Sequence, residues 1–249
     1  MYSVAIEEGT TGMWYGRFID FPGTHARARG RNQLLEELKA ELSFHVKWLE
    51  RHAEPVPHIS PPEIKISEEM QGIHELGESG GEVALFQYDI CRVSHEELNR
   101  FVRFMTYNRT DLLSCIATIS QSSLSYIPEG KTRTILDILN HVCNAEEFYI
   151  SRLGKQADII FERHTGMTEK KRDALPLPER MDTVRKAAIQ TLKEIITEKG
   201  DSIFTRSEYT SHPGEKWTAH KVVRRFLEHE REHYYNIREY LHLPCRGFT

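Results

Sequence analysis

No stretch of this 249-residue sequence is apolar over the ~20 residues that a membrane-spanning helix needs. Neither sign of charge dominates: 33 lysines and arginines stand against 37 aspartates and glutamates, a formal net charge of -4. That balance gives no support to nucleic acid as a general partner. Cysteine is scarce. Cys91, Cys115, Cys143 and Cys245 are scattered and include no Cys-x-x-Cys pair, which argues against a disulfide framework or a cysteine-rich metal knuckle. The opening MYSVAIEEGTTG lacks the basic-then-apolar order of a secretory signal. Reduced thiols in a cytoplasm are therefore expected. Internal repeats and low-complexity runs are missing as well.

What the sequence does contain changes character near residue 93. Before it, strand-like and helix-like patterns mix. YSVAIE, MWYGRFID and THARARG read as short strands, with GTTG and FPG turning the chain between them. Leu34, Leu35, Leu38, Leu42, Val46 and Leu49 then recur at helical spacing. Pro55, Pro57, Pro61 and Pro62 predict a stiff connection. EIKISEE and EVALFQYDI predict two more strands, divided by the glycine-rich GESGG.

Beyond Ser94 the pattern is helical alone. Ser94 with Glu97, and Thr134 with Asp137, have capping-box spacing. Helices are predicted from Ser94 to about 119, from about 135 to 153 ahead of Gly154, from about 178 to 199 ahead of Gly200, and from about 218 to 241. The piece from about 155 to 177 reads as a long loop. Four long helices without strands predict a four-helix bundle. The fold class expected is α+β, a small β-α domain at 1–92 followed by an all-α bundle at 93–249.

The last helix holds FLEHEREHYY, residues 226 to 235. Stepping along its apolar stripe by threes and fours visits 222, 226, 229, 233, 237 and 240, so His229 and His233 stand where apolar residues belong. Inward imidazoles need partners, because buried polar groups are costly when unsatisfied. Spacing i, i+4 also puts both rings on one side, one turn apart, as two ligands of one metal ion require. A chance pair on a solvated helix is the competing reading. HEREH also matches the zinc-protease pattern with Glu230 as base, but neither a following Gly…His extension nor a glutamate on a later helix is present. The best upstream third ligand is His141, flanked at helical spacing by Ile138, Ala145 and Phe148. The alternative for His141 is a core-edge histidine bonded to a carbonyl. Cys143 reads as a small core residue, Trp217 as a packing anchor, and Glu228, Glu230 and Glu232 as a solvated face, one of them available to support a ligand histidine.

ILNHVCNAEEFYISRL in the second helix and VVRRFLEHEREHYYNIREYL in the last resemble the DinB-like superfamily of four-helix bundles, over about residues 95 to 243. That resemblance implies a divalent metal, zinc or nickel, held by His141, His229 and His233. Some relatives carry a further histidine one turn before the pair, where this sequence has Arg225. Characterised relatives include transferases and isomerases dependent on low-molecular-weight thiols, which implies a thiol S-transferase with a thiol and a small-molecule substrate as partners. GMWYGRFIDFPGTHARARGRNQLLEELKAELSFHVKWLERHAEPVP is similar to the HicB-like domain of antitoxins, over residues 1 to 65 and at most to 90. The DNA-binding segment that such antitoxins carry has no counterpart here, its place being taken by the helices. An assembly or ligand-sensing role, with a protein partner or a homodimer, is the expectation for this half. A non-catalytic interaction protein is the alternative for the whole.

Overall fold

A computed structural model describes residues 1–56 and 63–248, so Pro57, Pro61 and Pro62 of the expected stiff connection lie outside the described residues. The chain forms two compact units, Met1–Ile90 with Ser207–Lys216, and Cys91–Arg206 with Trp217–Thr249. Among the described residues, no helix is long and apolar enough to cross a membrane.

Among the described residues, the first unit is a four-stranded sheet with one α-helix. Its strands are β1 (Tyr2–Gly9), β2 (Trp14–Phe18), β3 (His25–Ala28) and β4 (Ile64–Ile73), and its helix is α1 (Arg31–Arg51). The order is β3-β2-β1-β4, with β1–β2 and β2–β3 antiparallel and β4 parallel to β1. A parallel neighbour requires a crossover, and α1 lies within it. Leu34, Leu38 and Leu42 of α1, with Val4 and Ile6 of β1, are fully buried. Gly16 lets helix and strand approach: a Cβ there would stand 2.8 Å from a Leu38 methyl.

EVALFQYDI is not a strand, contrary to its apolar pattern. Its backbone donors go to carboxylates instead of a neighbouring strand. Ala84 N–H donates to Glu7 (2.6 Å), and Gln87 and Tyr88 N–H donate to Glu68 (2.6 and 3.3 Å). Glu7 is itself ion-paired with buried Arg17, whose guanidinium lies over the Phe86 ring. The segment thus covers the sheet and ends in a 3-10 turn, Tyr88–Ile90.

The second unit is helical: α2 (His95–Ile116), the short α3 (Gln121–Leu124), α4 (Ile135–Ser151), α5 (Lys155–Thr165), the short α6 (Glu169–Asp173), α7 (Leu177–Lys199) and α8 (Ala219–Tyr240). Both predicted capping boxes are formed, Ser94 with Glu97 and Thr134 with Asp137. Helix α8 packs on α2 and α4, and α7 on α4 and α2, which closes a four-helix bundle. The expected loop at 155–177 is instead largely helical. Gly154, at φ +92, breaks the chain after α4. Buried Ala157, Ile160 and Phe161 then follow a new helical period in α5, which packs on α7. That i, i+3, i+4 pattern was readable; its charged neighbours obscured it.

Candidate metal centre

α8 is unusual for a helix rich in charge. From Ala219 to Arg238 almost every residue is buried, with the ionic side chains paired as well as the apolar ones packed. Val222, Phe226 and Ile237 form the expected apolar stripe. His229 and His233 interrupt it at 8% and 7% exposure, facing half-buried His141 on α4. The structure brings these three together. His229 Nε2 lies 3.2 Å from His141 Nε2 and 3.0 Å from His233 Nε2. One ligand atom from each ring falls within 4.8 Å of the others, the one such triad of histidine, cysteine or acidic groups among the described residues.

Three imidazoles meeting through nitrogen rather than carbon are ill served by one another, since each contact can share at most one proton. The arrangement does suit a cation. Nitrogens bound tetrahedrally at 2.0–2.1 Å stand about 3.3 Å apart, close to the two distances found. Burial holds the His141 imidazole below its ordinary pKa, an effect reinforced by Arg133 and opposed by Glu232. The Asn236 side chain is 3.3 Å from His233 Nδ1. The atom placed there is the amide Nδ2; with the amide turned over, Asn236 Oδ1 would accept Nδ1–H and leave the Nε2 lone pair for a metal, as the neighbour of a ligand histidine usually does.

The glutamates depart from expectation. Glu228 and Glu230 are each only 1% exposed. Glu230 joins Glu146 of α4, Arg109 of α2 and Arg185 of α7 in a ring of alternating charge drawn from all four long helices. Arg185 Nη2 donates to Glu230 (2.9 Å), and its Nε donates to Glu146 (3.1 Å). Burial pushes the Glu230 carboxyl up, but Arg109 and Arg185 outweigh it and hold the group below its usual range. A carboxylate clamped by two guanidiniums is a poor proton acceptor, so the protease-like role for Glu230 fails on geometry. Glu228 is shared by Arg224 and Arg225. Glu232 is half-buried.

Sequence reasoning missed the ring, although the signal was present. Arg185 lies between buried Met181, Ala188 and Leu192, and Glu146 between Val142, Ala145 and Tyr149, so both interrupt apolar stripes as the histidines do. Cys143 is a core residue, fully buried, its thiol pushed up to about 12 by that burial. Trp217 is buried, with the Lys221 ammonium 4.2 Å from its ring centre.

The chain matches the DinB superfamily over residues 105–237. It belongs to that superfamily, and the match spans the four helices that carry the histidines and the ring. No curated protein matches the sequence. Among solved structures it is similar to YfiT from Bacillus subtilis, a probable metal-dependent hydrolase with an unusual four-helix bundle topology. That likeness has 12% identity and a TM-score of 0.43 over 66% of this chain and 96% of YfiT.

Proposed function

We propose that this protein is a divalent-metal enzyme that transfers a low-molecular-weight thiol, with His141, His229 and His233 holding zinc or nickel. The observation that carries the reading is the convergence of three imidazoles, His229 Nε2 standing 3.0–3.2 Å from the Nε2 atoms of the other two. Three neutral ligands leave the full charge of the ion in place and one position open. When bound, the ion supplies acidity: a thiol in that position is a thiolate at neutral pH. A thiol activated in this way needs no separate protein base, and Glu230, the base the HEREH pattern would nominate, is held in the charge ring. The part played by the chain is to orient the three rings and to keep Glu230 and Glu146 away from the ion.

In the same reading, residues 1–92 form a HicB-like domain with a sensing or assembly role. Its support is the order of three antiparallel strands, a long helix and a fourth strand. The whole works in the cytoplasm, where its cysteines stay reduced.

Metal content of untagged protein purified without chelator is the test, with His229→Ala alongside. Roughly one ion per chain in the wild type and a loss of most of it in the variant, with the helical spectrum retained, is expected. Equal metal in both would sink the site. Stoichiometric metal without thiol transfer to any electrophile would remove the transferase reading and leave the metal.

A further inference from the structure

One turn before His229 on α8, Arg225 is 6% exposed. Its Nη1 donates to Glu228 (3.0 Å), a carboxylate that Arg224 also uses, and its Nη2 donates to the Tyr149 hydroxyl oxygen (3.3 Å). Its Nε–H is buried and has no acceptor among the described residues. The Tyr149 hydroxyl accepts from Arg225, and no acceptor for its own proton is found among the described residues. Tyr149 is buried, with its ring edge-on to His229 at 5.7 Å between centres and the Arg225 guanidinium 5.7 Å from its own centre. Two buried donors without acceptors therefore stand next to the three-histidine cluster. Unmet buried donors are costly unless something fills them, and a guanidinium beside a phenol O–H is a fork for an oxyanion.

We infer that Arg225 and Tyr149 form an anion-binding wall of the metal site. The molecule it takes is small and carries a carboxylate, sulfonate or phosphate a short spacer away from the atom that meets the metal. Four residues at about 1.5 Å each, about 6 Å, separate residues 225 and 229 along the axis, which sets the span of that spacer. The inference rests on the metal–thiol reading above and narrows its substrate class.

The test uses full-length protein loaded with cobalt(II), titrated separately with 2-mercaptoethanesulfonate and 2-mercaptoethanol. These thiols differ in an anionic group that is itself a weak metal ligand. The readout is the thiolate-to-cobalt absorption band. In the wild type the sulfonate-bearing thiol should bind about tenfold more tightly or better, the scale of one charge-assisted hydrogen-bonded contact. In Arg225→Gln the ratio of the two affinities should fall to about one, and Tyr149→Phe should narrow it by several-fold. If Arg225→Gln does not fold, Tyr149→Phe, which keeps the ring, must still narrow the ratio. Equal affinities in the wild type, or a preference untouched by either substitution, overturn the anion wall and leave the metal–thiol reading standing. No band with either thiol overturns that reading and this inference with it.

Discussion

Replacing Arg185 with methionine removes one corner of the ring that ties α2, α4, α7 and α8 together. Methionine keeps much of the volume, so the loss is mainly electrostatic. Two carboxylates, Glu146 at 3% and Glu230 at 1% exposure, remain buried with only Arg109 to balance them. The backbone oxygen of Met105 also loses its 3.1 Å donor. Removing one partner of a buried ion pair costs about 3–5 kcal/mol, and that is the destabilisation expected of Arg185→Met at pH 7. The assay is chemical denaturation followed by Trp217, the bundle's one tryptophan, with Trp14 and Trp48 replaced by phenylalanine.

The pH dependence supplies a sharper check. In the wild type the pKa of Glu230 is depressed. Its contribution is therefore present above the ordinary carboxylate pKa and lost as pH falls through the lower folded value. With Arg185 gone, the burial that pushes Glu230 up is less opposed, and the carboxyl takes a proton more readily in the folded state. The gap between variant and wild type should narrow as pH falls from 7 towards 5. A cost below about 1 kcal/mol, or one constant with pH, would refute the reasoning, because exposed pairs behave that way. Replacing all four ring residues by apolar ones of like volume should recover much of the loss, since an intact buried ion pair is often no more stabilising than an apolar isostere.

Native protein at pH 8 should show two fast-reacting thiols, exposed Cys91 and Cys245. Cys143, its thiol near 12, is then about one part in ten thousand thiolate. Rapid alkylation of Cys143, read by mass spectrometry of peptides, would mean that the bundle opens. Gly16→Ala should destabilise the sheet unit by about 1–3 kcal/mol, because the added methyl meets Leu38 at 2.8 Å and Leu34 at 3.1 Å. Thermal denaturation followed by Trp14 and Trp48 fluorescence measures it, and an unchanged melting temperature would show that α1 yields.

Local pattern sufficed for much of this protein. The capping boxes at Ser94 and Thr134 mark where α2 and α4 begin, because a cap is built from residues three apart. The interruption of the α8 stripe by His229 and His233 placed both inward, and the same periodicity put His141 on or beside the inward side of α4. The remainder needed contacts that sequence spacing does not encode. EVALFQYDI has the composition of a strand, but Glu7 and Glu68, distant in sequence, take its backbone donors. Glu228 and Glu230 looked like solvent-facing charges because glutamates usually are; Glu228 is paired by Arg224 and Arg225 of its own helix, and Glu230 is buried because Arg109 and Arg185 reach it from two other helices. Periodicity fixes which side of a helix a residue occupies. Which helix meets that side is decided by packing across the bundle, and with it whether a charge is solvated, paired or turned to a metal.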